Sequence, residues 1–282
     1  MDLPGVEHDH DRGLAFDLAT LTRRRALALL GGGALAVLAG CGSNDGDGAS
    51  ASTTSTTAGG TSRTGAAAGG CSTIPEETAG PYPGDGSNGP DVLTADGIVR
   101  RDIRSSFGSS TTTADGVPLA IVLRLTDSTG GCSALAGAAV YVWQCDARAG
   151  YSLYSEGIED ENYLRGVQEA GADGRVRFTS IFPAAYPGRW PHIHFEVYES
   201  LATATGGGTR IATSQVALPE EACTAVYATA GYETSARNLA ETSLTSDIVF
   251  GDDGGAAQLG TVTGSVDEGY TVELAVAVDL PG

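Results

Sequence analysis

From Cys71 onward, apolar residues repeatedly alternate one for one with polar or small ones, and that period of two commits the chain to β-structure. Leu119, Ile121, Leu123 and Leu125 alternate. Val140 and Val142 alternate against Tyr141 and Trp143. Val272, Leu274, Val276, Val278 and Leu280 do the same over nine residues near the end. Successive side chains of a strand leave opposite faces, so each run presents one apolar face. A further strand is predicted over 211–217, and Asp173-Gly174 is a turn signal ahead of Val176 and Phe178. Helical periodicity is scarce. One short helix is predicted between Pro219 and Tyr227, opening at the proline. Many short strands divided by Gly-rich turns predict an all-β domain, a sandwich or barrel of mostly antiparallel strands with long loops.

The front of the chain reads differently. Thr22-Arg23-Arg24-Arg25 is followed by an apolar run through Leu38 and then Ala39-Gly40-Cys41. Arginines, about fifteen apolar residues and small residues are the marks of an export signal, and the run is shorter than the ~20 residues that span a membrane. The arginines resemble a twin-arginine signal, and Leu38-Ala39-Gly40-Cys41 resembles a bacterial lipobox whose Cys41 would carry lipid. Residues 42–70 are Gly, Ser, Thr, Ala and Asp with almost nothing large. They cannot bury enough apolar surface to offset ordering entropy, and read as a tether. The organisation expected is therefore a signal over 1–41, a linker over 42–70 and a β-domain over 71–282, exported and held to a membrane only by its lipid.

An exported chain meets oxidising conditions. Four cysteines follow Cys41, namely Cys71, Cys132, Cys145 and Cys223, and an even number predicts two disulfides with three pairings open. The formal net charge is −19, and all sixteen basic residues are arginines. Such a balance argues against nucleic acid as a partner, because phosphates need basic patches.

The chemistry concentrates in Pro183-Ala184-Ala185-Tyr186-Pro187-Gly188-Arg189-Trp190-Pro191-His192-Ile193-His194-Phe195. His192, His194 and Glu196 alternate with Ile193, Phe195 and Val197, so both imidazoles leave one face of a strand about 6–7 Å apart. The prolines and glycine ahead of them predict a rigid bend that returns Tyr186 and Arg189 over that face. His8 and His10 precede the signal, so the exported protein keeps only this pair. A metal held by two histidines takes its other ligands from Asp, Glu, Cys or Tyr. Tyr186 is one candidate. Tyr151, after Gly150 in the loop that follows the strand ending at Trp143, is another. Phenolate is a hard anionic donor suited to ferric iron, and a trivalent cation lowers the phenol pKa from about 10.

At these residues the chain resembles the intradiol ring-cleaving dioxygenases of the catechol and protocatechuate type. The resemblance rests on Trp143, Gly150-Tyr151, Pro183-Ala184-Ala185-Tyr186, Arg189 and His192-Ile193-His194. Gly80-Pro81-Tyr82 and Asn162-Tyr163-Leu164-Arg165-Gly166 extend it upstream, so that it spans roughly residues 71–280. It implies a β-sandwich and a non-haem Fe(III) centre held by Tyr151, Tyr186, His192 and His194. It implies O2-dependent cleavage of a small aromatic diol to a muconate-type diacid. Tyr186 would be the ligand that leaves when the diol chelates, accepting a proton as it goes. Arg189 would meet developing negative charge on the ring. Gln215 matches a polar residue of the family's pocket, and Tyr82 and Trp143 would line it. Ala184 stands where the family usually has glycine, and a positive φ there would strain it. The helical dimerisation segment of the catechol branch is absent from this resemblance, which leaves substrate and oligomeric state open.

Two other readings stay open on sequence alone. His192-x-His194 followed by Glu199 resembles a cupin spacing, although strand parity puts Glu196 on the histidine face. An exported binding module with a vestigial iron site is the other, because fold does not fix function.

Overall fold

The computed structural model describes residues 71–280; the expected signal, the lipidation site Cys41 and the tether lie outside them. Two sheets form the domain. In the first, β1 (Pro118–Asp127) is central. It pairs antiparallel with β5 (Arg175–Ile181) and, at its end, with β2 (Ser133–Ala134). On its other side it runs parallel to β9 (Gly269–Val278), which pairs antiparallel with β8 (Thr261–Ser265). The second sheet is wholly antiparallel, in the order β4 (Arg165–Glu169), β3 (Ala139–Trp143), β6 (His192–Tyr198), β7 (Arg210–Ala217).

The alternation seen in the sequence fills the space between the sheets. Ile121, Leu123, Leu125, Phe178 and Val276 of the first sheet share one core with Val140, Val142, Ile193, Phe195 and Val197 of the second. Yet every residue of β3 and β6 is buried, on both faces. The outer face of the second sheet is closed by loop residues instead. Val92, Leu93, Ile98 and Tyr151 pack there with Tyr141, Trp143 and Tyr198 in a second cluster. The polar members of that face, His192, His194 and Glu196 of β6, therefore lie beneath loops and not in water.

The predicted helix is present as Glu220–Tyr227 with Pro219 as its N-cap, and two acidic residues in its first turn suit the helix dipole. Short helices over Leu201–Thr205 and Ser235–Ala240 were not legible in the pattern. The Asp173-Gly174 turn also does more than a hairpin turn. β4 and β5 flank it in different sheets, and the Gly174 carbonyl (φ +73°) accepts the Leu125 amide there.

Of the two disulfides expected, one forms among the described residues. Cys71 and Cys132 form a disulfide that ties the start of the domain to the β1–β2 turn. Cys145 and Cys223 are buried free thiols, each raised in pKa by burial first. They pack in different clusters, Cys145 outside the second sheet and Cys223 in the sandwich core, so no second bridge forms among the described residues.

Candidate metal centre

Four side chains converge on the outer face of the second sheet. His192 Nε2 lies 3.1 Å from His194 Nε2 and 3.1 Å from the Tyr186 hydroxyl, which lies 3.4 Å from that of Tyr151. Three of the four are at most 3% exposed, while Tyr186 is half-buried.

Each comes from an element with a local reason to hold it. The histidines are two residues apart on β6, so the pleat aims both the same way. Tyr151 ends a tight loop in which Asp146 Oδ1 accepts the amides of Arg148 and Gly150, with Ala149 held at φ +70°. Tyr186 opens a turn through Pro187 and Gly188 (φ +78°), closed by the Arg189 amide donating to the Tyr186 carbonyl. Proline then a positive-φ glycine is the type II pattern. Ala184 is not among the positive-φ residues, so the strain expected there is absent, and glycine's freedom is used at Gly188 instead. The bend is fixed from the helical side. Ser235 Oγ accepts the Ala185 amide, Asn238 donates to the Ala185 carbonyl and Tyr227 donates to the Pro183 carbonyl.

The protonation of the imidazoles suits a cation. His192 Nδ1 lies 2.6 Å from the Trp190 carbonyl, to which it can only donate, and this leaves the lone pair of the neutral ring on Nε2. Burial, then the charge of Arg189, holds His192 well below the usual imidazole range, against the pull of that carbonyl. His194 is held low by burial, then by His192 and the two arginines Arg189 and Arg165. Among the described residues its buried Nδ1 has no partner. Tyr151 is raised well above the usual phenol value, by burial first and next by Tyr186. Three contacts of 3.1–3.4 Å link the four donors in a chain, and these match the edge lengths that bonds of about 2 Å to one central ion produce. The set fits a hard, highly charged cation: neutral imidazoles, plus phenols that such an ion would ionise.

The surroundings explain the geometry. Trp143 stacks on His194 at 4.9 Å between centroids, is fully buried, and so backs the imidazole; among the described residues its indole N–H has no partner. Gly80 lies against the same ring. A Cβ there would meet His194 Cε1 at 3.3 Å, and its φ is +70°, so both room and backbone call for glycine. Tyr82 packs against Tyr151 at 5.0 Å. Arg189 is 2% exposed. Its Nε donates to Asp247 Oδ2 at 3.0 Å and its Nη2 to Gln215 Oε1 at 2.6 Å, while Gln215 donates to the Thr78 carbonyl. Gln215 pairs in register with His194, which places it beside the site. Asp247 carried no signal strong enough to single it out. An acid just ahead of Ile248-Val249-Phe250 is the trace that it left.

Glu196 is wholly buried on the histidine face, bonded by the Tyr198 hydroxyl and raised to about 7 by burial first. Glu199 is exposed and lines a separate surface cavity with Leu135, Ala138 and Leu280, so the cupin spacing supplies no carboxylate to the site. Among the described residues no group of three or more His, Cys, Asp or Glu side chains is set to hold a metal.

Comparison with known proteins agrees with this architecture. Residues 93–205 match the model of a family described as Dioxygenase. The fold is similar to that of an intradiol ring-cleavage dioxygenase from Tetranychus urticae, with 24% identity, a TM-score of 0.59, and coverage of 74% of this chain and 95% of that one. The resemblance to the intradiol ring-cleavage dioxygenases holds. A second solved dioxygenase, Tetur07g02040, gives the same TM-score and coverage at 23% identity. A curated 6-chlorohydroxyquinol 1,2-dioxygenase from Cupriavidus pinatubonensis is 36% identical over 112 residues, which cover 32% of this chain and 40% of that enzyme. The match thus spans well under half of that relative. The domain here carries the four donors on its β6 strand and its two tyrosine loops.

Proposed function

We propose that this domain is a non-haem Fe(III) intradiol dioxygenase that cleaves a catechol-type diol with O2 to a muconate-type diacid. The observation that carries the proposal is the convergence of Tyr151, Tyr186, His192 and His194. These four would hold the ion, which when bound supplies a Lewis-acidic centre for the diol and a partner for O2.

The chain's own residues supply the rest. Tyr186, the half-buried donor, would be a phenolate beside such an ion, and its oxygen could then take a proton from an entering diol. Arg189 brings a positive charge that Asp247 and Gln215 hold in one orientation, which suits negative charge growing on an aromatic ring. Loops covering the outer sheet face exclude water from the imidazoles. The bond between the two hydroxyl-bearing carbons breaks, and each of those carbons gains one oxygen atom of O2. Catechol and O2 together therefore hold every atom of the muconic diacid, with nothing left over.

The test is iron loading, followed by oxygen uptake with catechol, protocatechuate and hydroxyquinol. Labelled O2 should put two heavy atoms into the product. A red-brown phenolate band should appear with Fe(III) and weaken in Tyr186→Phe. A colourless wild-type protein after loading would reject the iron centre and favour the binding-module reading.

Export and lipid attachment at Cys41 belong to the same proposal. Residues 22–41 support them by pattern, and the Cys71–Cys132 disulfide suits an oxidising compartment. A mass shift at Cys41 in the membrane fraction is expected, and its loss in Cys41→Ala checks the assignment.

A further inference from the structure

The histidines of the site stand on a strand, but Tyr151 and Tyr82 stand on loops, and one side chain joins those loops. Arg165, the first residue of β4, is 1% exposed. Its Nε donates to Ser152 Oγ at 3.1 Å. Its Nη1 donates to the Pro83 carbonyl at 2.9 Å and the Tyr141 hydroxyl at 3.0 Å. Its Nη2 donates to the Tyr82 carbonyl at 3.0 Å and the Ser152 carbonyl at 2.9 Å. A guanidinium has five N–H donors, and all five are used. None of the accepting oxygens belongs to a carboxylate.

A buried cation without a counter-ion is expensive, and an apolar side chain of similar length would fill the space at less cost. What only the planar fork of arginine does is bind several separate segments at fixed angles. Here those segments are 82–83, Tyr141 on β3, and the residue after Tyr151. The neighbouring positions are shaped around the guanidinium. A Cβ on Gly84 (φ +66°) would come within 2.8 Å of Nη1. The Gly84 amide donates to the Tyr154 hydroxyl, and the Tyr154 ring lies 5.4 Å from the guanidinium carbon. Register completes the picture. Arg165 pairs with Trp143, and Trp143 pairs with His194, so the clamp and the metal ligand share one row of the sheet.

We propose that Arg165 is a positioning residue: its guanidinium locks the 82–84 segment to the Tyr151 loop and so sets both aromatic rings against the β6 histidines. The consequence for chemistry rests on the iron-centre reading given above; the mechanical claim does not. Arg165→Met removes donors and charge, and Arg165→Lys keeps the charge with a poorer fork.

Amide hydrogen exchange on the metal-free protein is the first measurement. In Arg165→Met the Gly84 and Ser155 amides, which donate to Tyr154 Oη and the Tyr151 carbonyl, should exchange at least tenfold faster, with β1 and β9 unchanged. In Fe(III)-loaded protein the phenolate band should shift and broaden in Arg165→Met and partly return in Arg165→Lys. The KM for catechol should rise more than kcat falls. Uniformly faster exchange with an unmoved band would make Arg165 a general stabiliser and overturn the proposal, as would unchanged exchange at Gly84 and Ser155. If Arg165→Met does not fold, Gly84→Ala presses on the guanidinium from the other side and should give the same local pattern; protection at Ser155 equal to wild type would refute the clamp. A wild-type protein that takes up no Fe(III) would defeat the functional reading alone, since the exchange result still judges Arg165.

Discussion

Replacing Asp247 with asparagine should destabilise the domain far more than a one-atom change suggests. The carboxylate is surrounded by donors. Oδ2 accepts Arg189 Nε at 3.0 Å and the Trp190 amide at 2.6 Å; Oδ1 accepts the amides of Val249 at 2.8 Å and Phe250 at 3.1 Å. Asparagine offers one oxygen and one NH2. Whichever way it turns, its NH2 meets two N–H donors, and the buried Arg189 loses the charge of Asp247. Removing one partner of a buried ion pair costs about 3–5 kcal/mol. For a domain of about 210 residues, 1 kcal/mol moves Tm by roughly 2–4 °C, so a drop of about 6–20 °C is expected. Urea and thermal unfolding of Asp247→Asn measure it. Asp102→Asn is the control, because the Arg104–Asp102 pair is exposed and such pairs contribute at most about 1 kcal/mol. A loss in Asp247→Asn no larger than in the control would show that the pair is not held dry, and would remove the reason given for the fixed orientation of Arg189.

Glu77 is 7% exposed and raised to about 7, by burial first and then by the charge of Asp252. A carboxyl raised on folding binds its proton more tightly in the native state, so it stabilises at low pH and that stability is lost as pH rises from about 4.5 to 7. Glu77→Gln should flatten the fall of unfolding free energy over that window, by roughly 1–3 kcal/mol. An equal slope in both proteins would contradict it. Cys71→Ser with Cys132→Ser opens a 61-residue separation, which chain entropy values at about 4 kcal/mol; a Tm insensitive to both the double variant and reductant would exclude the bridge. In the same protein, alkylation should modify Cys145 and Cys223 only after unfolding, because both are buried. Gly80→Ala should weaken metal uptake by about tenfold or more, since a Cβ meets His194 and φ is +70°, a conformation costing a non-glycine residue about 1 kcal/mol or more; equal affinity in a metal titration would refute that.

Much of this was readable in advance where a local period carries it. The alternation of β6 separates Ile193 and Phe195, in the sandwich, from His192 and His194, on the other face. Pro219 marked the start of its helix because a residue without an amide donor suits that position. The unread parts are long-range. Nothing near Asp173-Gly174 tells that β4 and β5 part into different sheets, since that choice depends on where β1 and β3 lie. The cysteine count could not reveal one bridge and two thiols, because pairing follows from distances that spacing does not contain. Arg165 lies in the Asn162–Gly166 motif, but that motif does not name its partners, up to 83 positions away; Asp247 reaches Arg189 across 58 and leaves no motif.

Strand β6 serves two environments with alternate residues, and a pleat cannot shift by one position without exchanging them. A slipped β6 would thrust imidazoles into the sandwich and strand phenylalanine under the loops. No partly functional register exists. The phenolate colour of a loaded sample would therefore act as a pairing gauge: intensity per molecule would count chains whose second sheet had zipped correctly, and a pale preparation would point to misaligned strands before any substrate was added.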